Sequence, residues 1–305
     1  MPRPVTALLM APDLATVPIP LAQLPPLGPL QLAVVGHVEL VSFVAVSHLP
    51  QAGEILRATD FHECAAGGGA VVAVQLARLL GRPVPFFTAL GRDAGGELAA
   101  AELTALGLEL QVAWRDGPSR RAITFVDGDG ERTITVIGER LNPAAADPLP
   151  WDRLAACDGV FVTAADGPAL QRARRARLLA ATPRVRLQLL AQAGVRLDAL
   201  IGSGLDPSER YQPGDLALEP ALVIATEGGA GGRATPGGRF AAPRRQRPVQ
   251  DTYGAGDSFA AGVTAGLAAG WSVAEAISLG CHCGAACLDG RGPYGAQLRH
   301  PWSNA

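Results

Sequence analysis

The chain predicts an α/β fold, with a mainly parallel sheet covered by helices on both faces and a small β appendage. Three observations lead there. Short β-like runs alternate with helical runs along most of the 305 residues, the pattern of parallel strands joined by crossover helices. A helix beginning near Ala255 consists almost wholly of small residues. Each of its glycines costs about 1 kcal/mol against alanine, so burial must hold it. Finally, residues 40–66 and 120–137 interrupt the alternation with short strands of alternating polarity.

In chain order, residues 1–29 are rich in proline, and Asp13 breaks their apolar part, so they lack the layout of a secretion signal. They are expected to form an extended or disordered extension ahead of a folded unit over 30–305. Leu32 to Val35 is a β-like run ending at Gly36. Ala70 to Leu80 reads as an apolar helix closed by Gly81, and Val84 to Thr88 as the next strand. Glu97 to Leu106 predicts a helix ending at Gly107. Gly159 to Thr163 predicts a strand, followed by a basic helix from Pro168 to about Ala180. Asp198 to Ile201 and Leu222 to Thr226 are further strands leading into polar loops. The last helix spans residues 272–288.

The interrupting segments predict a small separate sheet, a lid, or else an edge extension of the main sheet. Asp127-Gly128-Asp129-Gly130 marks a hairpin, with Ile123 and Phe125 on one arm and Ile134 and Val136 on the other as its apolar face. A lid suits a reaction that must exclude water. Exposed lid edges could also pair with a second copy, giving a homodimer.

Composition narrows the function. With 48% hydrophobic and 18% charged residues the chain can bury a large core. A formal net charge of -2, without a cluster of Lys and Arg interleaved with aromatics, argues against nucleic acid as a partner. No apolar run reaches the length of a membrane span. A cytoplasmic enzyme with a small-molecule substrate is expected. The five cysteines have no disulfide spacing. Cys281-His282-Cys283 with Cys287 resembles a metal cluster, but ligands two apart on a helix point to different faces, so they read as small core residues.

The chemistry concentrates in Asp251-Thr252-Tyr253-Gly254-Ala255-Gly256-Asp257-Ser258-Phe259. A Gly-Ala-Gly turn can line backbone N–H groups along one concave surface. At a helix N-terminus those donors are unpaired and partly positive, which suits a phosphate or a developing anion. Asp257 would stand beside that anion and could accept a proton from an attacking hydroxyl, the arrangement for phosphoryl transfer to an alcohol. The alternative is a first-turn acid that only complements the helix dipole.

Three clusters sit at predicted strand ends. Gly67-Gly68-Gly69 could let a ligand's hydroxyls approach backbone, or simply make a tight turn. Thr226-Glu227-Gly228-Gly229-Ala230-Gly231 could wrap a nucleotide. Asp206 and Glu209 could hold Mg2+ through water, or form a capping box.

The stretch 251–259 closely resembles the C-terminal signature of the ribokinase-like (PfkB-type) carbohydrate kinases. The glycine-rich helix start at 67–81 resembles their N-terminal signature, and Thr226-x-Gly228 their nucleotide loop. The similarity runs over roughly residues 31 to 296. It implies a three-layer α/β/α domain with a small β lid, ATP as donor and Mg2+ as helper. It also implies Asp257 as general base and Gly254, Ala255 and Gly256 as an anion hole. Thr226, Gly228 and Gly231 would contact the nucleotide, with Gly256 serving both sides. Asp206 and Glu209 would belong to the Mg2+ site, and Asp251, with backbone near Gly292, to a potassium-like ion. Gly67, Gly68, Gly69, Glu39 and Asp166 would face the acceptor.

Two departures concern the acceptor. Val71 stands where the family usually has Asn, and Val41 where many sugar kinases carry Asp. Glu39, two residues earlier, could take over hydroxyl recognition or be a surface acid. Asp206 stands where the family's Asn-x-x-Glu usually begins. The leading reading is an ATP-dependent kinase of a sugar or nucleoside. A second is a degenerate kinase fold that binds a sugar or nucleotide as a sensor. A third, a kinase of a heterocyclic alcohol, requires an aromatic pocket, for which only Phe43 and Phe61 lie near the lid.

Overall fold

The computed structural model describes residues 14–128 and 131–300. Its main sheet begins with β1 (Leu32–Val35) and adds β4 (Val84–Gly91) and β5 (Leu108–Arg115) on one side. On the other side lie β8 (Gly159–Val162), β9 (Leu179–Ala181), β10 (Ala199–Ser203), β11 (Val223–Thr226), β12 (Gly232–Thr235) and β13 (Gly238–Phe240). The spatial order is β13-β12-β11-β10-β9-β8-β1-β4-β5. The strands from β5 to β11 are parallel, and β12 and β13 turn back antiparallel. Adjacent residues feed opposite faces, as the pleat requires. Val34 and Phe86 pack with α1 (Gly68–Leu80), α2 (Ala94–Ala105), α5 (Ala255–Ala268) and α6 (Val273–Cys287), whereas Val35 and Phe87 pack with α3 (Gly167–Ala173) and α4 (Leu187–Ala193). The result is a three-layer α/β/α fold.

The small-residue helix α5 is held as its composition requires. A Cβ on Gly262 would stand 2.8 Å from the Gly280 backbone, and one on Gly266 would stand 2.7 Å from the Ala276 Cα, so α5 and α6 meet almost backbone to backbone. Gly270 plays a different part, as a left-handed turn (φ 77°) between the two helices. A full capping box, Ser272 with Glu275, starts α6. Cys281, Cys283 and Cys287 are buried within that helix, and His282 Nε2 lies 2.8 Å from the Ile19 carbonyl.

Residues 14–29, expected as an extended or disordered extension, are ordered against the core. Leu14, Val17, Leu24 and Leu27 are buried in the α5–α6 layer, and the Ile19 N–H donates to Ser278. Their apolar residues find a partner because α6 presents small side chains.

The expected helix from Pro168 to about Ala180 is shorter. It ends at Ala173, and the chain then enters β9, between β8 and β10. Arg174 donates to Asp198 and to the Ala176 and Arg177 carbonyls, fixing the bend. Leu-Ala-Ala has helical propensity, but pairing on both sides of a central strand overrides it.

The interrupting segments form a separate four-stranded sheet, not an edge of the main one. It has β3 (Asp60–Ala66), β2 (Glu39–Ala45), β6 (Arg121–Val126) and β7 (Arg132–Ile137), in that order. The β6–β7 hairpin pairs Val126 with Arg132, while Asp129 and Gly130 lie outside the described residues. Its faces differ from expectation. Cross-strand partners share a face, and Ala122 pairs with Val136, Thr124 with Ile134, and Ile123 with Thr135. Ile123 and Phe125 therefore lie opposite to Ile134 and Val136. The inward face carries Val41, Phe43 and Ala122, packed on Val71 and Tyr253. The outward face carries Phe61, 57% exposed, and Phe125, so of the three lid phenylalanines only Phe43 turns toward the core.

The chain passes from β1 to the lid through Gly36, His37 and Val38 alone, which sets Glu39 above the end of the main sheet. This crossing demands Gly69, whose Cβ would stand 2.8 Å from the His37 carbonyl and 2.9 Å from the Gly36 Cα. Gly69→Ala should destabilise the fold by about 1–3 kcal/mol, because backbone on both sides cannot move aside. Urea denaturation would check this, and unchanged stability would mean that the crossing is looser than described.

Candidate active site

Gly254 caps α5 with φ 81°, a left-handed conformation. A side chain there would also meet Pro293 and Val71, both 3.0 Å from its Cβ. The Ser258 N–H donates to the Gly254 carbonyl at 2.8 Å, closing the first turn. The amides ahead of it have no intrahelical acceptor. No atom stands within 4 Å of a Cβ placed on Gly256, so the helix opens onto free space.

Asp257 lies in that first turn, half-buried beside the opposing glycine helix start: a Cβ on Gly68 would be 2.9 Å from its Oδ1. Burial pushes its carboxyl above the ordinary range, and the Arg184 and Arg132 guanidiniums pull it back. Gly67 caps α1 at φ 88°, and its N–H donates to the Tyr253 hydroxyl at 3.3 Å. Glu39 stands next to Gly67, with its Oε1 2.8 Å from Arg120 Nε and 3.7 Å from His37 Nε2. Burial raises the Glu39 carboxyl while Arg120 and Arg140 oppose the rise. His37 is held well below its usual pKa by burial and by Arg140, Arg120 and Arg184, so it is neutral. Its Nδ1 lies 3.4 Å from Thr163 Oγ1, at the end of β8.

Thr226 ends β11 and donates to the Gly202 carbonyl, and Gly228 and Gly231 shape the turn into β12. Gly231 has φ 88°, and a Cβ there would collide with the Phe240 carbonyl at 2.1 Å. Glu209 is 7% exposed; its Oε1 takes the Arg184 Nε–H at 2.5 Å and its Oε2 the Ser203 N–H at 3.0 Å. Asp206 caps the short 3-10 turn through the Ser208 N–H, with Arg184 Nη2 3.5 Å away. The capping box alternative is thus half present, since Glu209 turns to Ser203 instead of back to Asp206. Arg184 couples electrostatically to Asp257, Glu209 and Asp206.

The fold therefore sets Asp257 against Gly68 and Glu39 against Gly67, beside the Gly254–Gly256 turn, with Asp206 and Glu209 linked to Asp257 through Arg184. Two expected acceptor residues are differently engaged. Gly69 faces the Gly36–His37 backbone, and Asp166 caps α3, accepting from Ala169 at 2.8 Å and Ala145 at 3.1 Å. Asp251, 4% exposed, accepts from the Tyr253 N–H at 2.8 Å and the Gly292 N–H at 3.0 Å, joining the turn before α5 to the 288–296 loop. Sequence reading passed over His37, Arg120, Arg140 and Arg184. The one available signal was local: His37 and Glu39 are polar residues directly after a buried strand, where α/β sheets place ligands.

No helix among the described residues is long and apolar enough to cross a membrane. A curated ATP-dependent ribose-1-phosphate kinase of Halopiger xanaduensis is 28% identical over 268 residues, covering 82% of this chain and 89% of that protein. A ribokinase of Arabidopsis thaliana is 31% identical over 111 residues, 35% of this chain, and the match spans 29% of that protein's length. Among solved structures, a microbiome-derived acarbose kinase superposes with a TM-score of 0.72 at 22% identity, covering 88% of this chain and 96% of the other. Thermotoga maritima ribokinase gives 0.69 at 20% identity, with 87% and 95% covered. Arabidopsis ribokinase complexed with ribose and ATP gives 0.67 at 21% identity, with 86% and 94% covered. These likenesses agree on the fold. The pfkB family carbohydrate kinase model matches residues 30–202 and 214–298, and over that span the chain belongs to this family of phosphotransferases with an alcohol acceptor.

Proposed function

We propose that this protein transfers the γ-phosphoryl group of ATP to a hydroxyl of a carbohydrate or nucleoside. The observation that carries this is the Asp257 carboxylate at the open start of α5, directly against the Gly68 backbone. In this reading the N–H groups of Gly254, Ala255 and Gly256 receive the migrating phosphoryl group. Such preorganised donors act where charge develops and need no reorganisation. Asp257 orients the acceptor hydroxyl and takes its proton late, for which hydrogen-bond reach matters most. Glu39, Gly67 and Gly68 hold the acceptor's other hydroxyls, while Gly69 and Asp166 shape the crossing and the α3 start behind them. Thr226, Gly228 and Gly231 line the nucleotide. Pentoses are the first acceptors to try, in view of the Halopiger relative's ribose-1-phosphate and the ribose of the Arabidopsis complex.

In this reading Asp206 and Glu209, whose oxygens Arg184 and the Ser203 N–H engage, would hold Mg2+ through water once Arg184 turns away from them. When bound, that ion would neutralise charge on the donor phosphates. Asp251 would serve a monovalent cation such as K+ through the lone pairs not used by Tyr253 and Gly292. The lid's outer face, with Phe61 and Ile137 exposed, would form the contact of a homodimer.

The test is incubation with ATP, Mg2+ and a panel of pentoses, hexoses and nucleosides. ADP release that needs an acceptor and vanishes in Asp257→Asn is expected. Acceptor-independent release that survives this change would contradict the reading.

The Arg184 guanidinium favours ionised Asp257, so removing it makes the carboxyl hold its proton to higher pH. Arg184→Gln should therefore move the acidic limb of kcat/KM upward, and a limb that moves down or stays would refute the coupling.

A further inference from the structure

After α6 the chain returns to the starts of the two glycine helices, and there it buries a long polar side chain. Gln297 is 3% exposed, yet both ends of its amide are engaged. Its Nε2 donates to the Val71 carbonyl, in the first turn of α1, and to Ser258 Oγ, in the first turn of α5, each at 3.1 Å. Its Oε1 accepts from Arg78 Nη1 at 3.3 Å, and the same nitrogen donates to the Tyr294 carbonyl at 2.6 Å. Ser258, fully buried, is hydrogen-bonded in turn to the Cys287 thiol. That thiol points at the Tyr253 carbonyl, 3.4 Å away. The bonds thus form one series from Arg78 through Gln297, Ser258 and Cys287 to Tyr253, the residue before the Gly254 turn. Bonds in series polarise one another and hold a single arrangement.

We propose that Gln297 is a positioning residue for phosphoryl transfer: by tying Val71 to Ser258 it sets the spacing between the starts of α1 and α5, and so keeps the Asp257 carboxylate against Gly68. This rests on the kinase reading above and adds to it a residue that touches neither acceptor nor nucleotide. Gly68 lies three residues before Val71, and Asp257 directly precedes Ser258, so the tie falls within one helical turn of both halves of that contact. Both helix starts are rich in glycine, which leaves few side chains to interlock and a backbone free to shift. A hydrogen-bonded fork supplies the constraint that packing lacks. Packing alone would not call for glutamine here, because a buried amide is costly unless its bonds are met and an apolar residue of equal length would fill the space.

Gln297→Met keeps the length of the side chain and removes its three hydrogen bonds. A crystal structure of this variant beside the wild type should show the Asp257 carboxylate displaced from Gly68 by up to about an ångström, and kcat should fall about tenfold or more while the KM for ATP holds. Gly68→Ala made in Gln297→Met should then cost less than it does in the wild type, since both changes act on one contact. Ser258→Ala breaks the same tie from the α5 side and should reproduce the loss; it carries the test if Gln297→Met does not fold. The inference is overturned if the carboxylate stays in place, if melting temperature falls while kcat measured well below it is unchanged, or if the losses from Gln297→Met and Gly68→Ala multiply. A wild-type protein without acceptor-dependent ADP release would sink the kinase reading instead, and a displaced carboxylate in the variant would still demonstrate the tie.

Discussion

Asp257→Asn is expected to lower kcat by about 10³-fold, within the range that a positioned general base contributes. The amide keeps the shape of the carboxylate but cannot take the acceptor's proton. Stability should not fall with activity. In the folded protein burial raises the Asp257 carboxyl above its unfolded value. Its ionised form is thus the disfavoured one, so an ionised carboxylate at this position lowers stability. Asn removes the burden, although it also gives up the attraction of Arg184 and Arg132. Melting temperature and single-turnover rate, measured on the same sample, check the pair. A large fall in melting temperature would assign Asp257 to the fold instead of the chemistry.

Gly68→Ala should reduce kcat/KM by about 10²-fold, the effect of moving a reacting group by roughly an ångström. The new methyl would stand 2.9 Å from Asp257 Oδ1, closer than side-chain atoms tolerate. Because the crowded atom is the end of a side chain, it can swing away at small energetic cost. The carboxylate then leaves its post while the fold survives. Gly69→Ala, one residue on, meets only backbone and should show the opposite signature, with stability lost ahead of specific activity. Assays of both variants beside denaturation curves would separate these roles. Equal effects of the two on stability would mean that Gly68 is simply another packing glycine.

The contrast between those neighbours shows which parts of this molecule could be read in advance. Strand–helix alternation and the glycine stripe of α5 were legible because each is a local pattern with one economical packing solution. The Gly254 turn and the place of Asp257 in the first turn of α5 were legible for the same reason, since they are contiguous. β9 was not: Leu179-Ala180-Ala181 carries no strand signal, and only its neighbours β8 and β10 make it one. The face of β6 was reversed because Ile123 and Phe125 are more apolar than Ala122 and Thr124, whereas Ile134 and Val136 of β7 do lie on the inward face. The β6–β7 register instead buries Ala122 and Thr124. The arginines around Glu39 were invisible for a topological reason. Arg120, Arg140 and Arg184 lie far apart in the chain and meet only once the lid folds over the sheet. Asp166 and Gly69 looked like acceptor residues because they occupy the right end of the sheet. Their hydrogen bonds and packing partners, which no spacing encodes, engage them elsewhere.

In the proposed reaction the start of α5 receives the migrating phosphoryl group. It is tested most directly by a crystal structure with ADP, Mg2+, aluminium fluoride and an acceptor sugar. The fluoride is expected within about 3 Å of the Ala255 and Gly256 amides, with the acceptor oxygen in hydrogen-bond reach of Asp257. Fluoride seated away from these amides, with Asp257 touching neither it nor the sugar, would contradict it.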